Sequence, residues 1–206
     1  MTRRTRSTRR TAPTRRRLIG AGLALPLVGW RPAGARQLAP TPACGKPGDA
    51  AAATPRQGAG PFYTPNSPRR SSLIEPGAPG VRLILSGRVW STACRPVAGA
   101  LIDIWHCDAQ GEYDSSGYRY RGHLFADADG AYRLETIVPG RYPGRTRHIH
   151  VRLQAPGGAP LTTQLYFPGE PGNADDAIWR RELEIAADTR AGDAPRAGRF
   201  DFVLVV

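Results

Sequence analysis

Most of the chain after Gly80 consists of short runs in which apolar and polar residues alternate. Turn-forming residues such as Asp129-Gly130 separate these runs. Because successive side chains of a β-strand point to opposite faces, each run predicts one strand with a buried face. The seven predicted strands are Val81–Trp90, Ala100–Cys107, Tyr118–Ala126, Ala131–Val138, His148–Gln154, Leu161–Phe167 and Phe200–Val206.

Seven strands at this spacing predict an all-β domain, a mixed β-sandwich of two packed sheets with long loops. The segment from Asn173 to about Ala187 predicts one short helix, because Asp175 and Asp176 would occupy its first turn. Residues 36–80 are rich in Pro, Gly, Ala and Ser and predict an extended arm laid over the domain. The sandwich itself is expected over residues 81–206.

The first 35 residues have the organisation of an export signal. A basic stretch ends in Arg16-Arg17-Leu18-Ile19, a short apolar run interrupted by Pro26 follows, and Ala33-Gly34-Ala35 resembles a cleavage site. The arginine pair followed by Leu-Ile is similar to a twin-arginine signal, which a translocase reads. The apolar run is too short to span a membrane. We therefore expect export by the twin-arginine translocase to the periplasm or medium, cleavage after Ala35 and no stable membrane anchor.

The formal net charge of +12 is concentrated in this leader, which holds nine arginines and no acidic residue. From Arg36 onward 20 basic residues face 17 acidic ones, so the remaining chain carries a net charge of only +3. A nucleic-acid-binding protein needs its positive charge on the folded domain. The sequence therefore argues against a nucleic-acid partner.

The three cysteines, Cys44, Cys94 and Cys107, fit an oxidising compartment with one disulfide and one remaining thiol. Cys94 begins a turn and Cys44 lies in the irregular arm, which favours a bond between these two. Cys107 could replace either partner. No C-x-x-C motif is present, so a thiolate metal site is not expected.

Strand alternation places His148 and His150 on one face of their predicted strand and its apolar residues on the other. Two imidazoles on one side of a strand can converge on a cation, although such a pair alone is more often part of a polar strand face. No carboxylate follows His150 until Glu170, so the H-x-H and Glu pattern of a cupin is missing. Any further ligands must come from elsewhere in the chain.

Two loop tyrosines are candidates for these ligands. Tyr142 lies in the loop that leads into the histidine strand, and Tyr113 lies in the loop after the strand that ends at Cys107. Phenolate is a hard anionic donor, and its ordinary pKa of about 10 must be lowered by a strongly Lewis-acidic ion such as ferric iron. Each tyrosine alone would be interpreted as an aromatic residue at a loop rim. Together with the two histidines, they indicate a non-haem Fe(3+) site.

Five stretches of the chain match one family in register. They are GPFY from Gly60, GRVWSTACRPVAGALIDIW from Gly87, CDAQGEYD from Cys107, TIVPGRYPGRTRHIH from Thr136 and LTTQLYF from Leu161. Together they resemble the intradiol ring-cleavage dioxygenases, which cut catechols between the two hydroxylated carbons. The resemblance covers about residues 57–170, and the short arm makes the chain more similar to the protocatechuate-type branch and its exported relatives.

The resemblance implies a ligand set. Tyr113 and His148 would be the equatorial ligands of ferric iron, and Tyr142 and His150 would be the axial ones. Arg147 departs from the small or apolar residue of many members, and alternation places it on the opposite face from the histidines.

The resemblance also implies which residues act on the substrate, a catechol-type aromatic that reacts with O2 to give a muconate-type diacid. Arg145 and Gln164 would face the bound ring. Tyr142 would leave the iron when a catechol binds and take a substrate proton. Arg145 would supply fixed positive charge where negative charge develops. His106 and His123 lie outside the matched set and are interpreted as structural. The oligomeric state is not set by the sequence.

Two other functions compete with this interpretation. Residues 87–105 alone also resemble prealbumin-type sandwich domains, so the chain could be an exported, non-catalytic module that binds protein or carbohydrate. The H-x-H pair could instead bind zinc or copper in a different exported metalloenzyme. The dioxygenase hypothesis differs from both because it needs iron and gives Tyr113 and Tyr142 a function.

Overall fold

The structure is a computed structural model that describes residues 44, 48–187 and 196–206. The described residues all belong to one compact unit, Gln37–Val206. The predicted export signal and its cleavage site lie outside the described residues. Within the described ranges, no helix combines the length and apolarity that a membrane span requires.

Two sheets form a sandwich, as the alternation predicts. The described strands are β1 (Arg82–Ser91), β2 (Leu101–Trp105), β3 (Arg121–Phe125), β4 (Ala131–Ile137), β5 (His148–Gln154), β6 (Leu161–Tyr166), β7 (Ala186–Ala187), β8 (Arg196–Arg199) and β9 (Phe202–Leu204). The first sheet has the order β4-β1-β8-β7, with β9 also paired to β1, and the second has the order β3-β2-β5-β6. Strand β1 is antiparallel to β4 but parallel to β8 and β9, so the first sheet is mixed. The predicted all-β, mixed β-sandwich is confirmed.

The core lies between the two sheets and is built from the apolar half of each alternating run. In β1, Leu83, Leu85 and Val89 are almost fully buried, and in β5 Ile149 and Val151 are fully buried. Each such side chain contributes roughly 1.5–3 kcal/mol of transfer free energy when it leaves water. Because the apolar face of β5 is committed to the core, the two histidines of that strand must lie on the outer face of the second sheet.

The helix predicted from Asn173 to about Ala187 is wrong. The segment instead contains two single turns of 3₁₀-helix, Pro171–Asn173 and Arg181–Leu183, and then β7. The amide of Ile185 donates to the carbonyl of Tyr166 at 2.9 Å, which extends pairing along the edge of β6. Asp176, expected in the first helical turn, accepts hydrogen bonds from Thr146 and Arg145 instead. Polar side chains that find partners elsewhere in the fold compete with local helix formation.

The last predicted strand is also interrupted. Strands β8 and β9 both pair with β1 but are separated at Phe200 and Asp201, where the Asp201 carboxylate accepts from the amide of Arg88 at 2.9 Å. A Cβ atom on Gly87 would lie 1.7 Å from the carbonyl oxygen of Phe200. A glycine is therefore required where β1 passes this break.

The structure contains the favoured disulfide, between Cys44 and Cys94, with a Cα–Cα distance of 5.4 Å. Cys107 is free and buried. The disulfide is followed by an extended segment, residues 48–80, and the middle part of this segment, residues 57–68, crosses the outer face of the second sheet. This segment bonds to β6 through the Gln57 amide and accepts a bond from the amide of His123 in β3. It therefore covers the sheet face that carries the histidines.

Candidate metal and substrate site

The floor of the candidate site is a row of side chains across the second sheet. The β2–β5 register pairs Trp105 with His150, and the β5–β6 register pairs His150 with Gln164. The next pair on the same face is His148 and Tyr166. These positions lie on neighbouring strands that are hydrogen-bonded to one another, so the sheet holds the histidines on a rigid surface.

His148 is buried, and its ring has a defined orientation. Nδ1 lies 2.7 Å from the carbonyl oxygen of Thr146, which can only accept, so Nδ1 carries the proton and Nε2 has a free lone pair. The Tyr113 hydroxyl lies 3.4 Å from Nε2. Burial lowers the pKa of His148 to about 4, so the imidazole is neutral near pH 7. His148 thus presents the lone pair of a neutral nitrogen, Nε2, to the oxygen of Tyr113.

His150 is positioned by stacking. Its ring lies parallel to that of Trp105 at 4.9 Å and nearly perpendicular to that of His148 at 4.8 Å. Burial lowers the pKa of His150 well below its ordinary value. Nδ1 of His150 is buried, and no described residue is its hydrogen-bond partner. A buried nitrogen without a protein partner fits a site that is completed by a group from outside the chain.

The two tyrosines meet the histidines from separate loops. The Tyr113 ring stacks face to face on Phe62 at 4.2 Å, whereas Tyr142 makes edge contacts with Phe62 at 5.4 Å and with Tyr113 at 5.9 Å. Burial raises the pKa of Tyr113 above its ordinary value, so this phenol stays protonated unless a cation lies beside it. The structure brings together all four residues for which the resemblance implies a ligand role.

Glycines hold the two tyrosine loops together. The amide of Gly140 donates to the carbonyl of Asp108 at 2.7 Å. A Cβ atom on Gly140 would lie 2.4 Å from the amide of Gly111, and one on Gly111 would lie 2.2 Å from the carbonyl oxygen of Arg141. Only glycine allows backbones to approach this closely. Both glycines lie in stretches that carry the resemblance, but strand periodicity could not reveal that the two loops meet.

Arg145 lies beside this group. Its Nη2 donates to Oε1 of Gln164 at 2.8 Å, and its Nε donates to Oδ2 of Asp176, also at 2.8 Å. Arg145 and Tyr142 also line a cavity of about 430 Å³. The resemblance implies substrate-facing roles for Arg145 and Gln164, but Asp176 was not expected in the site because a helix was predicted there. Phe62 and Trp105 were also missed as site residues, although both lie in stretches that carry the resemblance.

The donors present fit a hard trivalent cation. Among the described residues, no group of three His, Cys, Asp or Glu side chains could hold a metal ion. The two neutral imidazoles would therefore need the phenol oxygens of Tyr113 and Tyr142 to complete a ligand set. Phenolate oxygen is the donor that favours ferric iron among common protein-bound metals.

The other two histidines have structural partners. His106 is buried between the hydroxyl of Thr136, at 2.6 Å, and the carbonyl of Cys107, at 2.7 Å. His123 contacts Ser67 through Nδ1, which lies 2.8 Å from the carbonyl oxygen. Both arrangements agree with a role in the fold.

Arg147 faces away from the histidines. Its Nη1 donates to the carbonyl of Pro139 at 2.6 Å, and its Nε lies 3.1 Å from the carboxylate of Glu170. Arg147 therefore ties the loop that precedes β5 to the residues that follow β6.

Known proteins resemble this chain over most of the described domain. The family model described as Dioxygenase matches residues 59–205. Catechol 1,2-dioxygenase from Pseudomonas sp. (strain EST1001) is 30% identical over 71% of this chain and 58% of that enzyme. Chlorocatechol 1,2-dioxygenase from Rhodococcus opacus is 32% identical over 70% of each chain. The chain spans about three fifths of the first curated relatives, at 58% and 62% of their length.

One solved structure shares more sequence. It is the dioxygenase domain of a dioxygenase carbohydrate-binding protein fusion from the cellulolytic bacterium Streptomyces sp. SirexAA-E. That domain is 53% identical and superimposes with a TM-score of 0.72, covering 75% of this chain and 99% of its own. Since the family model matches far more than half of the sequence and the matched relatives are intradiol enzymes, the chain belongs to the intradiol ring-cleavage dioxygenase family.

Proposed function

We propose that the protein is a non-haem ferric dioxygenase that cleaves the ring of a catechol between its two hydroxylated carbons, using O2, to give a muconate-type diacid. The observation that carries this proposal is the meeting of Tyr113 with His148, whose Nε2 lone pair lies 3.4 Å from the phenol oxygen. His150 and Tyr142 lie against this pair. Two phenols and two neutral imidazoles form a donor set that the zinc or copper alternative does not require.

Tyr113, Tyr142, His148 and His150 would hold the iron. Bound there, ferric iron would stabilise negative charge on both oxygens of a catechol and activate the ring towards O2. The protein supplies a buried site for this chemistry, because both histidines are only 3% exposed. Exclusion of water strengthens every electrostatic interaction with the bound ring.

The two tyrosines have different restraints, and this difference supports different roles. Tyr113 is held face to face by Phe62, whereas the aromatic contacts of Tyr142 with described residues are edge contacts, and Tyr142 lines a cavity. Tyr142 is therefore the ligand that can leave. Its phenolate oxygen would take the proton of one of the two catechol hydroxyls as the substrate binds.

Arg145 and Gln164 would face the bound substrate. The guanidinium of Arg145 is held by two hydrogen bonds, so its charge is fixed before the reaction begins. Gln164 is oriented by Arg145 at its carbonyl oxygen and by the carbonyl of Gly58 at its amide. A fixed charge stabilises negative charge that develops during the reaction without a cost of reorganisation.

The test is oxygen uptake by the purified, iron-loaded protein with catechol, protocatechuate, hydroxyquinol and larger catechols. We expect one O2 consumed per ring cleaved, the ultraviolet absorbance of a muconate-type product, and a burgundy to red protein from phenolate-to-iron charge transfer. A folded protein that is colourless and binds no iron would contradict the proposal. Zinc or copper in metal analysis would favour a different metalloenzyme that uses the H-x-H pair. A folded protein with no bound metal would favour a non-catalytic module that binds protein or carbohydrate.

We infer that the protein acts outside the cytoplasm, after export by the twin-arginine translocase. The arginine pair and apolar run of residues 1–35 support this, and so does the Cys44–Cys94 disulfide, which is typical of oxidising compartments. Intact mass of the exported protein should show that the chain begins near Arg36. A full-length chain confined to the cytoplasm would argue against export.

A further inference from the structure

Asp176 is a buried carboxylate that joins two parts of the site. Its side chain is 2% exposed, and Oδ2 accepts from the Nε of Arg145 at 2.8 Å and from the amide of Thr146 at 2.9 Å. Oδ1 accepts from the amide of Ile178 at 3.1 Å. Burial alone would raise the pKa of Asp176, but these hydrogen bonds lower it below its ordinary value. The carboxylate is therefore ionised and faces the guanidinium as a charged partner.

The bond from Arg145 to Asp176 restricts where the guanidinium can lie. A guanidinium is planar, so two hydrogen bonds from one group, to Asp176 and to Gln164, define its plane and its position. Without Asp176, Arg145 would keep one of these two hydrogen bonds, the bond to Gln164. A long side chain with one neutral hydrogen bond samples several rotamers.

The guanidinium held in this way lies next to the candidate ligands. Its partner Gln164 pairs with His150 across β5 and β6, and Arg145 lines the same cavity as Tyr142. The positive charge is therefore held beside the place where the substrate oxygens would bind.

We propose that Asp176 is a positioning residue for ring cleavage, which holds the guanidinium of Arg145 beside the tyrosine and histidine ligands. This inference rests on the proposed function. Asp176 itself would not touch the substrate. It acts through Arg145, and its effect on the reaction depends on the presence of that arginine.

The first experiment compares Asp176→Asn with Asp129→Asn. The asparagine at 176 keeps the shape of the side chain and one acceptor oxygen but removes the negative charge and the second acceptor. Asp129 is an exposed acidic residue in the turn between β3 and β4, outside the candidate site, so its variant controls for the loss of one negative charge. For Asp176→Asn we expect kcat for the best catechol to fall by roughly tenfold or more, with unchanged iron content and anaerobic substrate affinity in a protein that is folded at the assay temperature. Asp129→Asn should match the parent protein.

A double-mutant cycle separates positioning from a structural role. If Asp176 acts through Arg145, adding Asp176→Asn to Arg145→Gln should cause no further loss of kcat. Independent losses that multiply would overturn the inference, as would a fall in iron content or melting temperature large enough to explain the lower kcat. If the parent protein cleaves no catechol, the proposed function fails. If the parent is active and Asp176→Asn is equally active, only the role of Asp176 fails.

Discussion

Replacing His150 with alanine is expected to abolish iron retention while the sandwich still folds. His150 is 3% exposed and lies against His148 and Trp105, so no other imidazole can take its place. Loss of one of four ligands should lower iron affinity by roughly a hundredfold or more. The measurement is iron per folded protein by metal analysis, together with the visible charge-transfer band.

A histidine on the same sheet provides the control. His123 lies in β3, contacts Ser67 and is outside the proposed ligand set, so His123→Ala should keep its iron. The truncation at 150 also removes the stacking partner of Trp105, which makes some loss of thermal stability expected in that variant. Normal iron content in a folded His150→Ala protein would refute the ligand assignment.

Replacing Gly87 with alanine is expected to destabilise the protein more than any other substitution proposed above. The added Cβ atom would lie 1.7 Å from the carbonyl oxygen of Phe200, which belongs to the backbone and cannot rotate away. Relief requires moving the break between β8 and β9 away from β1, with loss of the bonds that join Phe200 to Ser86 and Asp201 to Arg88. We expect the free energy of unfolding to fall by roughly 3 kcal/mol or more, as measured by urea denaturation.

Gly58→Ala is the matched control for this measurement. The nearest atom to a Cβ on Gly58 is the amide nitrogen of Gly60, at 3.9 Å, and Gly58 is exposed. Its unfolding midpoint should stay close to that of the parent protein. Equal midpoints for the substitutions at 87 and 58 would show that the close approach of β1 to Phe200 is not needed for stability.

The strands could be predicted from the sequence because each one is a local property of alternation. Six predicted runs contain most or all of β1 to β6, and the seventh contains β9. Strand β8 was not predicted. It pairs with β1, which lies more than 100 residues earlier in the chain, and its short sequence, Arg196–Arg199, has little apolar character. Pairing over such a distance leaves no periodic signal in the shorter strand.

The helix predicted from Asn173 shows the opposite case, in which the sequence carries a local signal for a helix but contacts with distant residues override it. Acidic residues near the start of a segment favour a helix when nothing else binds them. Here Thr146 and Arg145 bind Asp176, and Tyr166 takes the amide of Ile185, so the backbone follows the edge of β6. Asp176, predicted to lie in the first turn of a helix, instead holds a candidate catalytic arginine.

Strand periodicity alone establishes the sandwich and the shared face of His148 and His150, since both follow from the geometry of a single strand. The matched stretches add Tyr113, Tyr142 and the family. The convergence of these residues depends on contacts between distant segments: the glycine contact between the tyrosine loops, the stacking of Phe62 on Tyr113, and the carboxylate of Asp176 against Arg145. Such contacts arise only when the second sheet brings the arm and loops together, because no periodicity within one segment encodes its partner in another.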